Sequence, residues 1–242
     1  MSVVDVEGVN NFRDVGGMPA AGGRIRAGVL LRSGQLSGAT TAGAHELRRR
    51  VSHIVDLRDG EEVAAEPSEI EGPGTTHLPL FLGSVRSFFE TDTSLEELYL
   101  HLLEESGERL VEAVRIIAQG EPTLVHCTVG KDRTGVTVAL ALAAVGADRE
   151  AIIADYALTE SQLPPERSRR ILAYLRAQHP EAVHAAALAT QSPAHVMRAL
   201  LEDIDRRWGS AAGYLRANGL TEDELQALHH ALVEPEIPAH QG

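Results

Sequence analysis

Apolar residues fall into short blocks over the first third of the chain and into helical stripes over the rest. Residues 29–32 and 54–57 are short apolar runs, which predicts two buried strands, with residues 78–81 a weaker third. Gly16-Gly17 and Gly22-Gly23 mark tight turns between the early segments. From Glu108 onward the period changes. Leu110, Val111, Val114, Ile117 and Ala118 recur at helical spacing, and Gly120 suits the C-terminal cap. Pro122 precedes a predicted strand over residues 123–126. Residues 134–145 are apolar on nearly every side, the mark of a buried helix, and Gly146 ends it. Asp148 can cap a helix through Leu158. Residues 166–178 and 181–189 read as two further helices broken by Pro180. Ser192-Pro193 reads as a cap followed by proline at the first helical position of a helix to Trp208. Thr221 with Glu224 has the form of a capping box for the last helix. Residues 234–242 are polar and Pro-rich, as in a frayed tail. The pattern predicts an α/β fold: a mostly parallel central sheet flanked by helices, with a helical C-terminal part.

A chain of 242 residues reads by default as one domain. Aromatics make up only 4%, so the core must rest on Leu, Val, Ile and Ala. The net charge of −13 argues against nucleic acid or an anionic membrane as partner, since no long basic cluster overrides it. The run Arg48-Arg49-Arg50 closes a helical pattern and complements that helix's C-terminus. Cys127 is the sole cysteine, so no internal disulfide is available and no zinc site can be built on cysteines. Neither a metal nor a cofactor is expected. Residues 1–8 carry acids and no apolar run, and no stretch is long enough to span a bilayer. The expected location is cytoplasmic, with export lacking a classical signal left open, as is the oligomeric state.

Chemistry concentrates in His126-Cys127-Thr128-Val129-Gly130-Lys131-Asp132-Arg133-Thr134-Gly135, between a predicted strand and a buried helix. A loop there can turn successive backbone N–H groups on one point, and the helix N-terminus adds partial positive charge to it. Cys127 faces those dipoles and the Arg133 guanidinium, all of which favour thiolate over thiol. A thiolate is a good nucleophile at phosphorus and a workable leaving group afterwards. Arg133 offers a planar fork matched to two phosphoryl oxygens. Thr128, Val129, Gly130, Lys131, Asp132 and Arg133 are thus the expected phosphate-binding residues. Gly130 permits a turn or a close approach without a Cβ. Lys131 adds a second positive charge, and Asp132 puts a proton carrier at the rim. His126 and Thr134 support the loop, His126 through hydrogen bonds to its backbone and Thr134 with a hydroxyl near the sulfur. Gly, Lys, Asp and Arg are poor core residues, so a cysteine serving only as core filler does not account for this run.

His-Cys-x5-Arg-Thr-Gly resembles the phosphate-binding loop of the protein tyrosine phosphatase superfamily. The Gly-Lys-Asp-Arg form is similar to the bacterial tyrosine/serine and phosphoinositide phosphatases typified by a mycobacterial enzyme. Asn11-Phe12-Arg13-Asp14, Asp56-Leu57-Arg58, Ala154-Asp155-Tyr156, and Ile204-Asp205 through Gly213-Tyr214-Leu215 carry the likeness over nearly the whole chain. The resemblance implies Cys127 as nucleophile and Arg133 as phosphate clamp. It places residues 166–190 where that group has a two-helix lid. The mycobacterial relative carries an aspartate after a Pro-containing strand end; here Leu78-Pro79-Leu80-Phe81-Leu82-Gly83 has no carboxylate, and Glu90 and Asp92 are the next acids. Asp132 is therefore the expected general acid and then base. Arg13, Asp14, Asp56 and Arg58 read on their own as residues that cap turns or pair with one another.

The expected function is phosphoester hydrolysis through a phospho-cysteine. Protein phosphotyrosine leads as substrate, with phosphoserine or phosphothreonine beside it and phosphoinositide as the alternative. A sulfurtransferase is the rival within enzymes, and a non-catalytic phosphate-binding module is the rival from another class. The Arg-Thr-Gly ending argues against the first and the intact Cys127 and Arg133 against the second.

Overall fold

A computed structural model describes residues 2–3, 5–80 and 92–235. In chain order the first elements are β1 (Ser2–Val3), β2 (Arg13–Asp14), β3 (Pro19–Ala20), β4 (Gly23–Ile25), β5 (Leu30–Ser33), α1 (Thr41–Arg50), β6 (His53–Asp56), α2 (Gly60–Ala65) and β7 (Gly74–His77). Then come α3 (Leu95–Glu105), α4 (Gly107–Ile117), β8 (Thr123–His126), α5 (Asp132–Ala144), α6 (Arg149–Gln162), α7 (Pro165–Gln178), α8 (Ala185–Thr190), α9 (Ala194–Trp208), α10 (Ala211–Ala217), α11 (Glu222–Leu232) and β9 (Val233–Pro235).

The main sheet runs β1-β2-β5-β8-β6-β7. The pairs β5·β8, β8·β6 and β6·β7 are parallel, and β1·β2 and β2·β5 are antiparallel. The mostly parallel α/β expectation therefore holds. Period-two alternation divides the sheet's faces. Leu31, Leu124 and Ile54 lie in register and pack with Leu47 and Val51 on and just after α1. Leu30, Val125 and Val55 belong to the larger core, which the other helices cover. Strand β8 sits between β5 and β6 and is buried throughout, so its two apolar residues each meet a covered face, Leu124 on one side and Val125 on the other. Helix α5 follows it directly and is buried from Arg133 to Leu142. A small sheet, β3-β4-β9, ties the end of the described chain to its beginning.

Several boundaries differ from the sequence expectation. The third strand is residues 74–77, not 78–81, of which Phe81 lies outside the described residues. Strand β7 is an exposed edge of Gly, Thr and His and has no apolar run to betray it. Glu234 and Pro235, expected in the tail, pair with β4; residues 236–242 lie outside the described residues. The cap of α9 is Pro193, not Ser192. Ser192 Oγ accepts Glu160 N at 2.9 Å and donates to Ala157 O at 3.0 Å, both on α6, so its oxygen is engaged there instead of capping α9. The second helix expected over 181–189 starts four residues later, at Ala185. The capping box at Thr221 and Glu224 is present, and the basic run of α1 occupies its last turn. Among the described residues no helix is long and apolar enough to cross a membrane.

Candidate active site

The segment 127–131 joins the C-terminal end of β8 to the N-terminus of α5. Three of its carbonyls are pinned outward. Asn11 Nδ2 donates to Val129 O at 3.2 Å and to Gly130 O at 3.0 Å. Arg32 Nη2 donates to Gly130 O at 2.7 Å, and Gln35 N to Thr128 O at 3.1 Å. In a trans peptide the N–H points opposite to the C=O. The amides of Val129, Gly130 and Lys131 are therefore aimed to the other side, where Gly130 N lies 3.2 Å from Cys127 Sγ. The first turn of α5 has no side-chain cap, so its N–H groups remain for an anion. Gly130 takes φ +72°, and a Cβ there would stand 2.2 Å from Ser33 O. Its close approach is to the end of β5, not to a ligand.

Behind this loop lies a buried cluster that the sequence reading did not foresee. Asp155, from α6, accepts from Arg13 Nε at 2.7 Å and from Arg32 Nη1 at 2.6 Å. Arg13 also donates to the side-chain oxygen of Asn11, to Asp155 O and to Thr159 Oγ1. All three charged side chains are at most 2% exposed. Burial works to raise Asp155, but the two guanidiniums hold it below the ordinary carboxylate range. Burial and the neighbouring Arg32 lower Arg13 to about 10, and it stays cationic at neutral pH. One carboxylate against two guanidiniums leaves net positive charge directly behind the loop. Arg13 was expected to pair locally; its partner is 142 residues away. Asp14 and the Asp56–Arg58 pair behave as expected. Asp14 accepts from Gly16 N and Gly28 N, and Arg58 Nη2 meets Asp56 Oδ2 at 2.7 Å.

Arg133 reaches back from α5 to Glu62 on α2. Its Nη1 and Nη2 meet Glu62 Oε2 and Oε1 at 2.6 and 2.7 Å. Nη1 also donates to Leu57 O at 3.3 Å. Nη2 also reaches Thr128 Oγ1 at 3.4 Å, a long contact that an anion arriving at the Nε–Nη2 edge of the fork would replace. Burial works to raise Glu62, but hydrogen bonds and charge from Arg133 overcome it and bring Glu62 down to about 2. Glu62 is itself fixed by a capping box, in which its Oε2 accepts Asp59 N and its own N–H donates to Asp59 Oδ1. Thr128 Oγ1 donates to Glu62 as well. Glu62 was missed in the sequence; the pattern Asp59-Gly60-Glu61-Glu62 is the signal that marks it.

The remaining expected residues sit as follows. Cys127 is 3% exposed and unpaired. His126 Nδ1 lies 3.3 Å from Cys127 O, while Nε2 is 3.6 Å from Asp56 Oδ2. Burial lowers His126 to about 4, so the ring is neutral and the second contact is no ion pair. Thr134 Oγ1 is buried and makes no hydrogen bond, so the expected contact to the sulfur is not made. Lys131 turns away from the cradle: Nζ donates to Leu188 O at 2.6 Å and Gln191 O at 2.9 Å, at the C-terminal end of α8. It also stands 3.4 Å from Asp132 Oδ1. Burial pushes its ammonium down, against the pull of Asp132. Asp132 accepts from Tyr99 Oη at 2.8 Å. Asp92 accepts Val183 N and His184 N at 2.9 and 2.7 Å, ahead of α8, and Glu90 lies outside the described residues.

A strand-to-helix loop with inward amides, one sulfur and a held guanidinium suits nucleophilic transfer of a tetrahedral dianion. Comparison with known proteins bears on what it transfers. A triple specificity protein phosphatase, PtpB of Mycobacterium tuberculosis, is 30% identical over 96% of this chain and 100% of its own length. A tyrosine-protein phosphatase of Nostoc commune is 28% identical over 84% of this chain and 74% of its own. The crystal structure of P. aeruginosa TpbA aligns with a TM-score of 0.38 at 17% identity, covering 77% of this chain and 95% of that one. The family model described as the tyrosine phosphatase family matches residues 4–234. A match of that extent, around the loop just described, shows that the chain belongs to the tyrosine phosphatase family.

Proposed function

We propose that this phosphatase works through a phospho-cysteine on Cys127 and that Asp132 is its proton carrier. The observation that carries this reading is the Gly130 amide aimed at Cys127 Sγ while the loop's carbonyls are tied outward. Cys127 attacks phosphorus in line. The loop amides and the Nε–Nη2 edge of Arg133 hold the equatorial oxygens, with Thr128, Val129 and Lys131 contributing through their backbone. Asp132 protonates the leaving oxygen, then takes a proton from the water that hydrolyses the phospho-cysteine. His126 steadies the loop. Phosphotyrosine is the leading substrate, and the name of the mycobacterial relative supports activity on further phosphoester classes.

With Asp132→Asn, kcat/KM for phenyl phosphate is expected to fall roughly 10²-fold or more, the ordinary worth of general acid catalysis. Turnover within a few-fold of wild type would remove Asp132 from the role. A panel of phosphotyrosine, phosphoserine and phosphothreonine peptides and phosphoinositides then ranks the substrate classes.

Helices α7 and α8 serve as a lid in this reading. Cys127 is 3% exposed, at the base of its loop, so helices set over the mouth of that loop would control access to it. Lys131 grips the end of α8, and Arg167 on α7 donates to Ala189 O at 3.1 Å and carries charge close enough to interact with Cys127 and Asp132. Removing the grip with Lys131→Met is expected to speed alkylation of Cys127 by iodoacetamide about tenfold. An unchanged alkylation rate would show that these helices do not gate the thiol.

A further inference from the structure

Tyrosine hydroxyls in a protein core need a partner, and a backbone carbonyl commonly suffices. Tyr214 does this here, donating to Leu103 O at 2.8 Å. Tyr99 does not. It is fully buried on α3, yet it spends its only proton on Asp132 Oδ1 at the mouth of the loop. Its oxygen is also 2.7 Å from Tyr156 Oη on α6, and the two rings meet edge to face at 6.0 Å. The directions follow from counting protons. Oδ1 accepts whether Asp132 is ionised or carries its proton on Oδ2, so the Tyr99 proton goes to Asp132. The proton between the phenols must then come from Tyr156. The chain of donors runs Tyr156 to Tyr99 to Asp132.

Local packing keeps that chain in register. Gly135 sits one turn along α5 from Asp132, and a Cβ there would come within 3.1 Å of the Tyr156 ring. Lys131 Nζ stands 3.4 Å from the same Oδ1. Oδ1 is thus engaged from two sides, and Oδ2 is left as the oxygen able to carry a transferable proton. The charged or titratable groups facing Asp132 are Lys131, Arg133, Tyr99, Tyr156 and Arg167. Burial and the charge of Asp132 hold both phenols above their ordinary range, so each remains a donor.

We propose that Tyr99, oriented by Tyr156, is a positioning residue that fixes Asp132 by Oδ1 and presents Oδ2 to the leaving group. This rests on the assignment of Asp132 as proton carrier. In the first half-reaction the sulfur–phosphorus bond forms and the bond from phosphorus to the leaving oxygen breaks. The Oδ2 proton passes to that oxygen. In the second, water oxygen bonds to phosphorus, the electron pair of the sulfur–phosphorus bond returns to sulfur, and a water proton goes to Oδ2. Tyr99 keeps its proton throughout. Its contribution therefore scales with how much the leaving group needs protonation.

The test is a series of aryl phosphates, from p-nitrophenyl phosphate to phenyl phosphate, with the full chain. Tyr99→Phe keeps the ring and loses only the hydroxyl. It is expected to lower kcat/KM about tenfold for phenyl phosphate and about twofold for the p-nitrophenyl ester. Its dependence on leaving-group basicity should fall between wild type and Asp132→Asn, and it should add little in the Asp132→Asn background. Tyr156→Phe should move the series in the same direction by less, and it decides the matter if Tyr99→Phe fails to fold. A uniform loss across the series, or none, with a steep series in Asp132→Asn, overturns the positioning role alone. A flat series in Asp132→Asn overturns the assignment of Asp132 and the role of Tyr99 with it.

Discussion

Replacing Cys127 by serine abolishes turnover, to roughly 10⁻⁴ of the wild-type rate or below, while phosphate-ester binding survives. The reason is chemical, not architectural. A serine hydroxyl is a far weaker acid and nucleophile than a thiol, and a phosphoserine would have to release an alkoxide, a poor leaving group, in the second step. The loop, in contrast, is held by Asn11, Arg32 and Gln35 acting on its carbonyls, contacts that do not involve the sulfur, which accepts from the Gly130 amide. The variant should therefore keep its cradle and trap substrate. Steady-state turnover of p-nitrophenyl phosphate and mass spectrometry of acid-quenched enzyme check this together. Wild type should show a phosphate adduct on Cys127 and the serine variant none. Residual activity within tenfold of wild type would end the phospho-cysteine mechanism.

The largest expected effect on stability is at Asp155. Asp155→Ala leaves the guanidiniums of Arg13 and Arg32 facing each other, buried and without their shared counter-ion. Breaking a buried pair in this way costs about 3–5 kcal/mol, because the orphaned charge cannot reach water. Here two charges are orphaned, so the upper end is expected in urea unfolding. The pH dependence has a defined sign. Asp155 is held below the ordinary carboxylate range, so the unfolded chain binds its proton first on acidification. Its contribution is complete above about pH 4 and lost as pH falls further. Wild type and the alanine variant should therefore converge in stability under acid. Parallel curves would place the stabilisation elsewhere. Activity should fall alongside, because Arg32 is one of the donors that hold Gly130 O outward.

What the sequence disclosed follows the range of the interactions. Strands β5, β6 and β8 lie within a residue of where their apolar runs put them, because a covered strand needs a contiguous apolar block. The buried α5 was equally plain. Helix α2 was missed because it buries no side chain and so shows no stripe. Helix α3 was missed although Ser94 and Glu97 form a full capping box, a signal as good as the one read at Thr221. The residues from His126 to Thr134 were legible because the loop is contiguous. Glu62, Tyr99, Arg32 and Asp155 were not read as parts of the site, because each meets its partners across 33 to 142 residues. A pairing of that span leaves no local periodicity. The direction of Lys131 was unreadable for the same reason: its acceptors, Leu188 O and Gln191 O, are backbone atoms whose location depends on the path of α8.

The anchoring of the loop also bears on how the enzyme comes into being. Gly130 O is held by Asn11, 119 residues earlier, and Asn11 is braced by Arg13, whose counter-ion lies 142 residues further on. A nascent chain that has just exposed its thiol has the sulfur but not the anchors that hold the loop around it. Until Asp155 has left the ribosome, the two arginines have nothing to gather on. If Cys127 acts as proposed, catalytic competence is a late event in synthesis, and a C-terminal truncation before α6 removes the carboxylate on which Arg13 and Arg32 gather.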